Sequence, residues 1–254
     1  MIWNAFLLAV RQIWRNPMRS LLTVLGVVIG VAAVIMMVTI GNGASEAIRS
    51  EIESFGNNQL MLRPGMRLGP GQRIGAPSFK MEDVTALQTQ LAGVVAVAPQ
   101  VSKSVTLVAN GRNWQTSITG TTSSYFTIDN RTFADGRSFE EAEEMAGSAV
   151  CVIGSTIANE LFGRPDGVVG ELIRTGGFSC RVIGLLATKG SAAMGGDQDD
   201  VVIMPVKTVQ RRLIGDTRVS SLLILMDGNS DRERLKQAVK DLMRERRSLS
   251  AGDD

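Results

Sequence analysis

A run of twenty residues without a charge, Leu21–Ile40, constrains this chain more than any other feature. At 1.5 Å rise per residue, twenty helical residues cover about 30 Å, the thickness of the hydrocarbon core of a bilayer. A cleaved signal would have a shorter apolar core followed by a small-residue cleavage site, which GNGASEA imitates only weakly. The sequence therefore predicts a transmembrane helix over residues 20–42.

Basic residues are distributed unevenly around this span. Arg11, Arg15 and Arg19 precede it, whereas Arg49 comes after it among three glutamates. The positive-inside rule then predicts a cytoplasmic N-terminus and places the bulk of the chain in the periplasm or outside the cell. Residues 1–16 are amphipathic and predict an interfacial helix that contacts membrane lipid on the cytoplasmic side.

Two further patterns distinguish this helix from a simple tether. Gly26 and Gly30 form a GxxxG motif, which either supports close packing of membrane helices or arises by chance, because glycine is common in such helices. A tether would more typically continue as a flexible Gly/Ser linker. After this span, a stripe at helical spacing instead predicts a stalk helix over residues 43–56 that transmits motion: Ala44, Ala47, Ile48, Ile52 and Phe55.

The composition excludes several classes of function. The net charge of +2 provides no basic field for nucleic acid, so no nucleic-acid partner is expected. The absence of histidine removes the usual general base and every metal site that needs imidazole. No GxxxxGK[ST] motif occurs, so ATP hydrolysis is expected on a separate domain or subunit. The sequence therefore predicts no catalytic residue, no cofactor and no metal ligand.

Two cysteines, Cys151 and Cys180, lie in β-like runs, AVCVIG and SCRVIGLL. In an oxidising compartment they could form a disulfide if the two strands are neighbours. The other interpretation is two small buried thiols, because a cysteine inside a strand often simply packs. The sequence leaves both interpretations open.

The region outside the membrane begins with a βαβ pattern within residues 57–118. A short strand, Gln59–Arg63, precedes a helix at Met81–Leu91, and Asn110-Gly111 predicts the turn of a hairpin. The glycine-rich segment 64–77 between strand and helix carries two arginines. It is interpreted as a mobile loop rather than as a segment that binds a partner.

Residues 217–247 repeat the βα part of this pattern. An apolar strand, Ser221–Met226, leads to a helix with an S-x-x-E capping box at Ser230 and Glu233. Together the two segments predict an α+β architecture, a ferredoxin-like domain split in sequence. We expect Leu223 and Leu225 to pack beside Leu60 and Leu62 in its core.

Residues 119–216 between the two halves predict an inserted, mixed α/β subdomain. The acidic loop from Gly195 to Asp200 lacks the ligand order of an EF-hand, so a solvated loop is expected rather than a calcium site. Residues 248–254 predict a polar tail. The excision of the insertion is expected to leave a smaller folded domain.

Several stretches resemble one family of transporters, and together they cover essentially the whole chain. RSLLTVLGVVIGVAAVIMMVTIGNGASEAIRSEIESFGNNQLMLRPG resembles the opening of macrolide-exporter (MacB) type ABC permeases. The resemblance continues through ITGTTSSYF, RVIGLLATKGS and VVIMPVKTV. It implies that the apolar segment is the first membrane helix, that the split domain is a Porter subdomain, and that the insertion is a Sabre subdomain.

The resemblance also implies a function. The chain would be a permease subunit of the bacterial inner membrane that couples cytosolic ATP hydrolysis, through the stalk, to motion of the outer domain. Expected partners are an ABC-type ATPase subunit, a periplasmic adaptor (membrane fusion) protein, a second copy in a homodimer, and an outer-membrane channel where the envelope has one. Because further membrane helices are missing, a truncated permease or a split gene product is expected.

Two rival interpretations remain from other classes. A single-pass sensor or assembly factor would use the outer domain to bind a ligand or a protein, although only about twenty residues precede the span. An enzyme anchored by one helix is disfavoured by the absence of a clustered nucleophile and base. The sequence does not identify the transported substrate.

Overall fold

The computed structural model describes residues 3, 16–54, 58–69, 72–75, 77–192, 196–228 and 230–247. The chain divides into two compact units, Met1–Ser54 and Phe55–Asp254. The first unit contains α1, a continuous helix of 38 residues from Pro17 to Ser54. The predicted interfacial helix, apart from Trp3 and Asn16, and the predicted tail at 248–254 lie outside the described residues.

The second unit is sheet-rich, with short helices between strands. In chain order its described elements are β1 (Gln59–Leu62), β2 (Met66–Gly69), β3 (Gln72–Gly75), α2 (Met81–Gln90), β4 (Val94–Ala109), β5 (Arg112–Thr121), α3 (Ser124–Ile128), β6 (Phe133–Gly136), α4 (Glu141–Ala146), β7 (Val150–Ile153), α5 (Ser155–Phe162), β8 (Leu172–Thr175), β9 (Phe178–Leu186), β10 (Val202–Pro205), α6 (Val206–Val209) with a following π-helical turn (Gln210–Ile214), β11 (Ser221–Met226) and α7 (Arg232–Arg247).

Nine of the described strands form one sheet in the order β1-β11-β4-β5-β10-β7-β9-β6, with β8 paired to β4 and β9. The long strand β4 joins its two parts, because its first half pairs with β11 and its second half with β5. In the first part, antiparallel β1-β11-β4 carries α2 and α7, which is the split ferredoxin-like arrangement that the sequence predicts. The α+β class with one apolar N-terminal helix is confirmed.

Helices cover one face of this sheet. On the first part, α7 contributes the stripe Leu235, Val239 and Met243, whose spacing of four residues brings them to one side of the helix. On the second part, α5 and α6 close a separate core with β4, β5, β7, β9 and β10. Both cores lie on the same side of β4, since Val97 belongs to one and Val101 to the other.

The opposite face is covered only in its middle. There α3 contributes Tyr125, Phe126 and Ile128 to a third core, which also takes in Val152 and Ile203 from the sheet. The rings of Phe126 and Phe139 meet edge-to-face with centroids 5.4 Å apart. Towards the β4–β5 turn no described helix covers this face.

The two-residue turn at Asn110-Gly111 is confirmed. Asn110 has φ 49° and Gly111 has φ 73°, and Ala109 pairs with Arg112 across the turn. Positive φ at both central positions is the requirement of a type I′ hairpin turn. Asparagine and glycine tolerate this backbone region, which is why the dipeptide predicts the turn so reliably.

Two local predictions are wrong. The segment 64–77 is not simply a loop, because β2 and β3 pair as an antiparallel hairpin with Met66 opposite Gly75. The cap of α7 is Asp231 rather than Ser230: its Oδ1 accepts hydrogen bonds from the backbone N–H of Glu233, at 3.0 Å, and of Arg234, at 3.2 Å. A carboxylate one residue later therefore satisfies the free donors of the first turn.

The expected packing of Leu223 and Leu225 against Leu60 and Leu62 is also wrong, by one residue. The strands β1 and β11 do pair, but Leu222 and Ile224 share the core of α2 and α7 with Leu60 and Leu62. Leu223 and Leu225 lie on the opposite face, in the core of α3. Because side chains alternate along a strand, a slip of one position exchanges the two faces.

The predicted boundary between residues 118 and 119 lies inside β5. Next to it, β10 pairs in parallel with β5, with Val202 opposite Ile118. Val101, Leu107 and Ile118 thus share one core with residues of the inserted segment. The division into subdomains at 57–118, 119–216 and 217–247 stays a prediction.

Candidate functional site

The membrane helix is the first part of the candidate site. Residues Pro17–Gly43 form a candidate span of 27 residues, and a stretch of 18 residues within it has a mean hydropathy of 2.9 with none of it buried within the chain. Its two threonine hydroxyl groups are satisfied locally, since Thr23 donates to the carbonyl of Arg19 and Thr39 to that of Ile35, each at 2.7 Å. Such pairing removes the cost of an unsatisfied polar group in lipid.

The predicted packing positions, Gly26 and Gly30, lie in this exposed helix. A Cβ atom added at either glycine would meet nothing within 4 Å. Packing within the chain therefore does not require glycine at these two positions. The role of the GxxxG pair in contacts with another membrane helix stays a prediction.

The backbone of the predicted stalk continues the membrane helix. Beyond Gly43, α1 runs without interruption to Ser54, which adds about 16 Å at 1.5 Å per residue. Ala44, Ala47, Ile48 and Ile52 lie on this helical stretch, and Phe55 lies outside the described residues. The role of the stalk in transmitting motion stays a prediction.

Cys151 and Cys180 are brought together by neighbouring strands. They lie on β7 and β9, which run parallel, and their Cα atoms are 5.9 Å apart. The structure joins their sulfur atoms, and both residues are fully buried in the core beneath α5 and α6. This arrangement links β7 to β9, the longest strand of the inserted segment.

A buried charged cluster holds the end of α3, and no local pattern in the sequence indicates it. The carboxylate of Asp129 accepts hydrogen bonds from the Tyr125 hydroxyl and the Nε of Arg131, and Lys189 Nζ donates to the Asp129 backbone carbonyl. Burial, and next the charge of Asp129, raise the pKa of Tyr125. Burial lowers the pKa of Lys189, against the attraction of Asp129.

The acidic loop is solvated only in part, which corrects the expectation for residues 195–200: Gly196 and Asp197 are exposed, but Asp199 is not. Asp199 is buried, and its carboxylate accepts the backbone N–H groups of Lys189 and Gly190, each at 2.9 Å. The carboxylate of Asp200 accepts a hydrogen bond from Trp114 Nε1 at 3.0 Å. These carboxylates fasten the loop to the domain. Gly154 leaves space for it, because a Cβ there would collide with the carbonyl oxygen of Asp199.

The uncovered part of the sheet forms what we call the open face. It consists of the alternate, outward-pointing residues of β4 (102–108), β5 (113–117), β8 (172–174) and β9 (179–181), all of which are exposed. Ser104 lies opposite Ser117, and Thr106 lies opposite Gln115. Sequence periodicity could have revealed it, since polar residues alternate with buried ones along both β4 and β5.

The described residues contain no group of three or more His, Cys, Asp or Glu that could hold a metal ion. What they present is a long apolar helix, a rigid sheet with three cores and an exposed face. Such an arrangement can anchor the chain in a membrane and present a surface to a partner.

The chain matches one protein family over most of its length. The profile of the MacB-like periplasmic core domain matches residues 20–242. The macrolide export ATP-binding/permease protein MacB of Bdellovibrio bacteriovorus is 36% identical over 247 residues, which is 94% of this chain and 37% of that protein. Its counterpart in Rhodospirillum rubrum is 34% identical over 245 residues, 96% of this chain and 37% of that protein. The chain thus spans little more than a third of these relatives.

Solved structures support the same fold. The periplasmic region of MacB from Actinobacillus actinomycetemcomitans superposes with a TM-score of 0.66 at 19% identity, covering 78% of this chain and 87% of that one. The extracellular domain of the noncanonic ABC-type transporter YknZ from Gram-positive bacteria gives a TM-score of 0.61 at 18% identity, covering 76% and 97%. Both structural similarities show the fold of the sheet-rich unit.

Proposed function

The chain belongs to the MacB-like periplasmic core domain family, and from that membership we propose that it is the membrane-anchored outer part of an ABC exporter. One observation carries the proposal: the family match at residues 20–242 begins inside the membrane span and includes the outer sheet. One family profile therefore includes both the membrane span and the outer domain. In this role the chain lies in the bacterial inner membrane with its outer unit in the periplasm.

ATP hydrolysis, on this proposal, takes place on a separate ABC-type ATPase. The relatives in Bdellovibrio and Rhodospirillum are named as ATP-binding and permease proteins in one chain, and this chain aligns with 37% of each. Closure of the ATPase would move the membrane helices, and α1 would carry that movement outwards. An uninterrupted helix of 38 residues suits this task, because a helix resists compression and bending better than a linker.

The outer unit would then respond as one body. Strand β4 is shared by both parts of the sheet and contributes residues to all three cores. Close-packed cores deform little, so displacement at one end of the sheet is passed to the other. Export would result from contact between this moving domain and an adaptor protein, with two copies of the permease acting as a homodimer.

Co-purification tests the proposal. The affinity-tagged chain, solubilised in mild detergent from its native membranes, should retain an ATPase with a P-loop. Replacing Gly26→Ile and Gly30→Ile together should weaken assembly, whereas Val27→Ile in the same span should not. Recovery of a histidine kinase in place of the ATPase would support the sensor interpretation and overturn the transporter.

The orientation is tested separately by labelling. A single added thiol at Arg112→Cys should react with an impermeant maleimide on intact cells, and one at Asn4→Cys should be protected. The two natural cysteines are fully buried and do not compete for the reagent. Protection at position 112 would reverse the proposed topology.

A further inference from the structure

The composition of the open face differs from that of a solvated sheet surface. None of its outward positions is Lys, Asp or Glu, and its charged residues are Arg174 on β8 and Arg181 on β9. Surfaces that face water only are rich in lysine and glutamate, whereas interfaces are depleted in both and enriched in arginine. The remaining outward residues are mostly short polar side chains, which lose little conformational entropy when they form hydrogen bonds.

Each of the two arginines has an exposed apolar side chain as a cross-strand neighbour. Arg174 is opposite Val108 on one side and Ser179 on the other, and Arg181 is opposite Leu172. Leu172 is 56% exposed and Val108 43% exposed, so the apolar side chains accompany the cations at the surface. Among the described residues, no carboxylate forms an ion pair with either guanidinium. Two planar donors are therefore available to an incoming carboxylate.

We propose that the open face docks a protein partner through acidic side chains that meet Arg174 and Arg181. The partner is a different protein from this chain, because apposing two copies of this face would bring four guanidinium groups together without a carboxylate among them. The four strands contribute 18 residues to this face, which at about 3.3 Å per residue and about 4.8 Å between strands give roughly 290 Å². A standard interface covers about 800 Å² per partner, so this contact suits a partner that engages and releases repeatedly.

This inference depends on the proposed function only for the compartment in which the partner is found. Photocrosslinking of the full chain in its native membranes tests it. p-Benzoylphenylalanine at Gln115, on the open face, should give one crosslinked protein, whereas the same amino acid at Gln237 on α7 should not. Mass spectrometry of the product should map the crosslink beside acidic residues of the partner.

Charge reversal gives the decisive comparison. Arg174→Glu with Arg181→Glu should lower the crosslink yield about tenfold, equivalent to 1.4 kcal/mol. The matched control, Arg234→Glu with Lys236→Glu on exposed α7, should leave it unchanged. Reversing the mapped acidic residues of the partner to arginine should restore the yield with the double glutamate variant. If that variant is unfolded, Arg174→Gln with Arg181→Gln, and salt from about 0.05 to about 0.5 M, should lower the yield instead.

Several results would overturn the proposal. These are no crosslink at Gln115, crosslinks only to lipid or to a second copy of the chain, and equal losses in the control pair. The proposed function is tested by a different measurement, the co-purification of the ATPase. The ATPase should co-purify with both the wild-type chain and the glutamate variant, because the open face does not bind it. If the ATPase is absent while the charge-dependent crosslink at Gln115 is still obtained, the proposed exporter function is rejected and the docking proposal stands.

Discussion

The Nε of Arg131 donates to the Oδ2 of Asp129 across 2.6 Å, with only 8% of the arginine side chain and 15% of the aspartate side chain exposed. Lys189 Nζ lies 3.7 Å from the same oxygen. One carboxylate therefore balances two cations at the junction of α3 and the loop after β9. Removal of that single negative charge leaves Arg131 partly buried without its ion-pair partner, and leaves Lys189 only the weaker attraction of Asp199.

Asp129→Asn should accordingly destabilise the outer unit by about 3 kcal/mol, the scale on which breaking a buried ion pair acts. Denaturant unfolding of the full chain in detergent measures the change. Asp216→Asn is the matched control, because Asp216 also contacts an arginine, Arg218, at 2.6 Å but in an exposed position. Equal midpoints for both variants would mean that the buried cluster contributes nothing.

Acid should weaken the start of α4. Glu143 accepts two hydrogen bonds from Arg137, at 2.8 and 2.9 Å, and one from the backbone N–H of Glu140. The hydrogen bond from Arg137 holds the pKa of Glu143 below its ordinary value of 4.5. Because the folded pKa is the lower one, the stabilisation is present above pH 4.5 and is lost as pH falls through the folded pKa.

Glu143→Gln should therefore melt at a lower temperature than the wild type at pH 7, and the difference should shrink as the pH is lowered below 4.5. Thermal unfolding followed by circular dichroism over this range measures it. Glu141, also in the first turn of α4, provides the control through Glu141→Gln. A difference between Glu143→Gln and wild type that is independent of pH would contradict the ionic origin.

The face assignment of β11 is tested by one buried and one exposed side chain. Ile224→Ala should cost about 3 kcal/mol, because Ile224 is fully buried between β11 and the helices α2 and α7. Met61→Ala should cost less than about 0.5 kcal/mol, since Met61 on β1 is 51% exposed. A larger loss at Met61 than at Ile224 would indicate the opposite register.

The one-residue error in this register shows where sequence reasoning ends. SLLILM is apolar at nearly every position because both faces of β11 are buried, so a period of two cannot say which residues face which core. Asn110-Gly111, by contrast, has a local steric cause and was predictable. The burial of Asp199 was not, because its donors are backbone groups of Lys189 and Gly190, which reach it only after the chain folds back.

The cysteine pair should be oxidised in the mature protein. Maleimide labelling after denaturation without reductant should find no free thiol, and labelling after reduction should find two. Cys151→Ala with Cys180→Ala should lower the free energy of unfolding by about 3.5 kcal/mol, as chain entropy predicts for a 29-residue loop. Two free thiols in protein taken directly from cells would instead support the interpretation of buried, unpaired cysteines.

Interruption of the stalk should separate hydrolysis from export. Ile48→Pro removes a backbone donor within α1 and costs about 3 kcal/mol locally. In the assembled transporter we expect ATP hydrolysis to continue while export stops. Ile48→Ala, which keeps the helix, should retain more export than the proline variant. Unchanged export with proline at position 48 would mean that the stalk transmits nothing.

The position of β11 between β1 and β4 has a consequence for biosynthesis. During synthesis β1 is complete at residue 62 and β4 at residue 109, yet neither finds its neighbour in this part of the sheet until residue 226 has been made. The nascent chain therefore carries the unsatisfied edges of both strands while residues 110–226 are made. Maturation of this part of the sheet must await β11, and a ribosome stalled before residue 221 yields a species suited to chaperones and proteases.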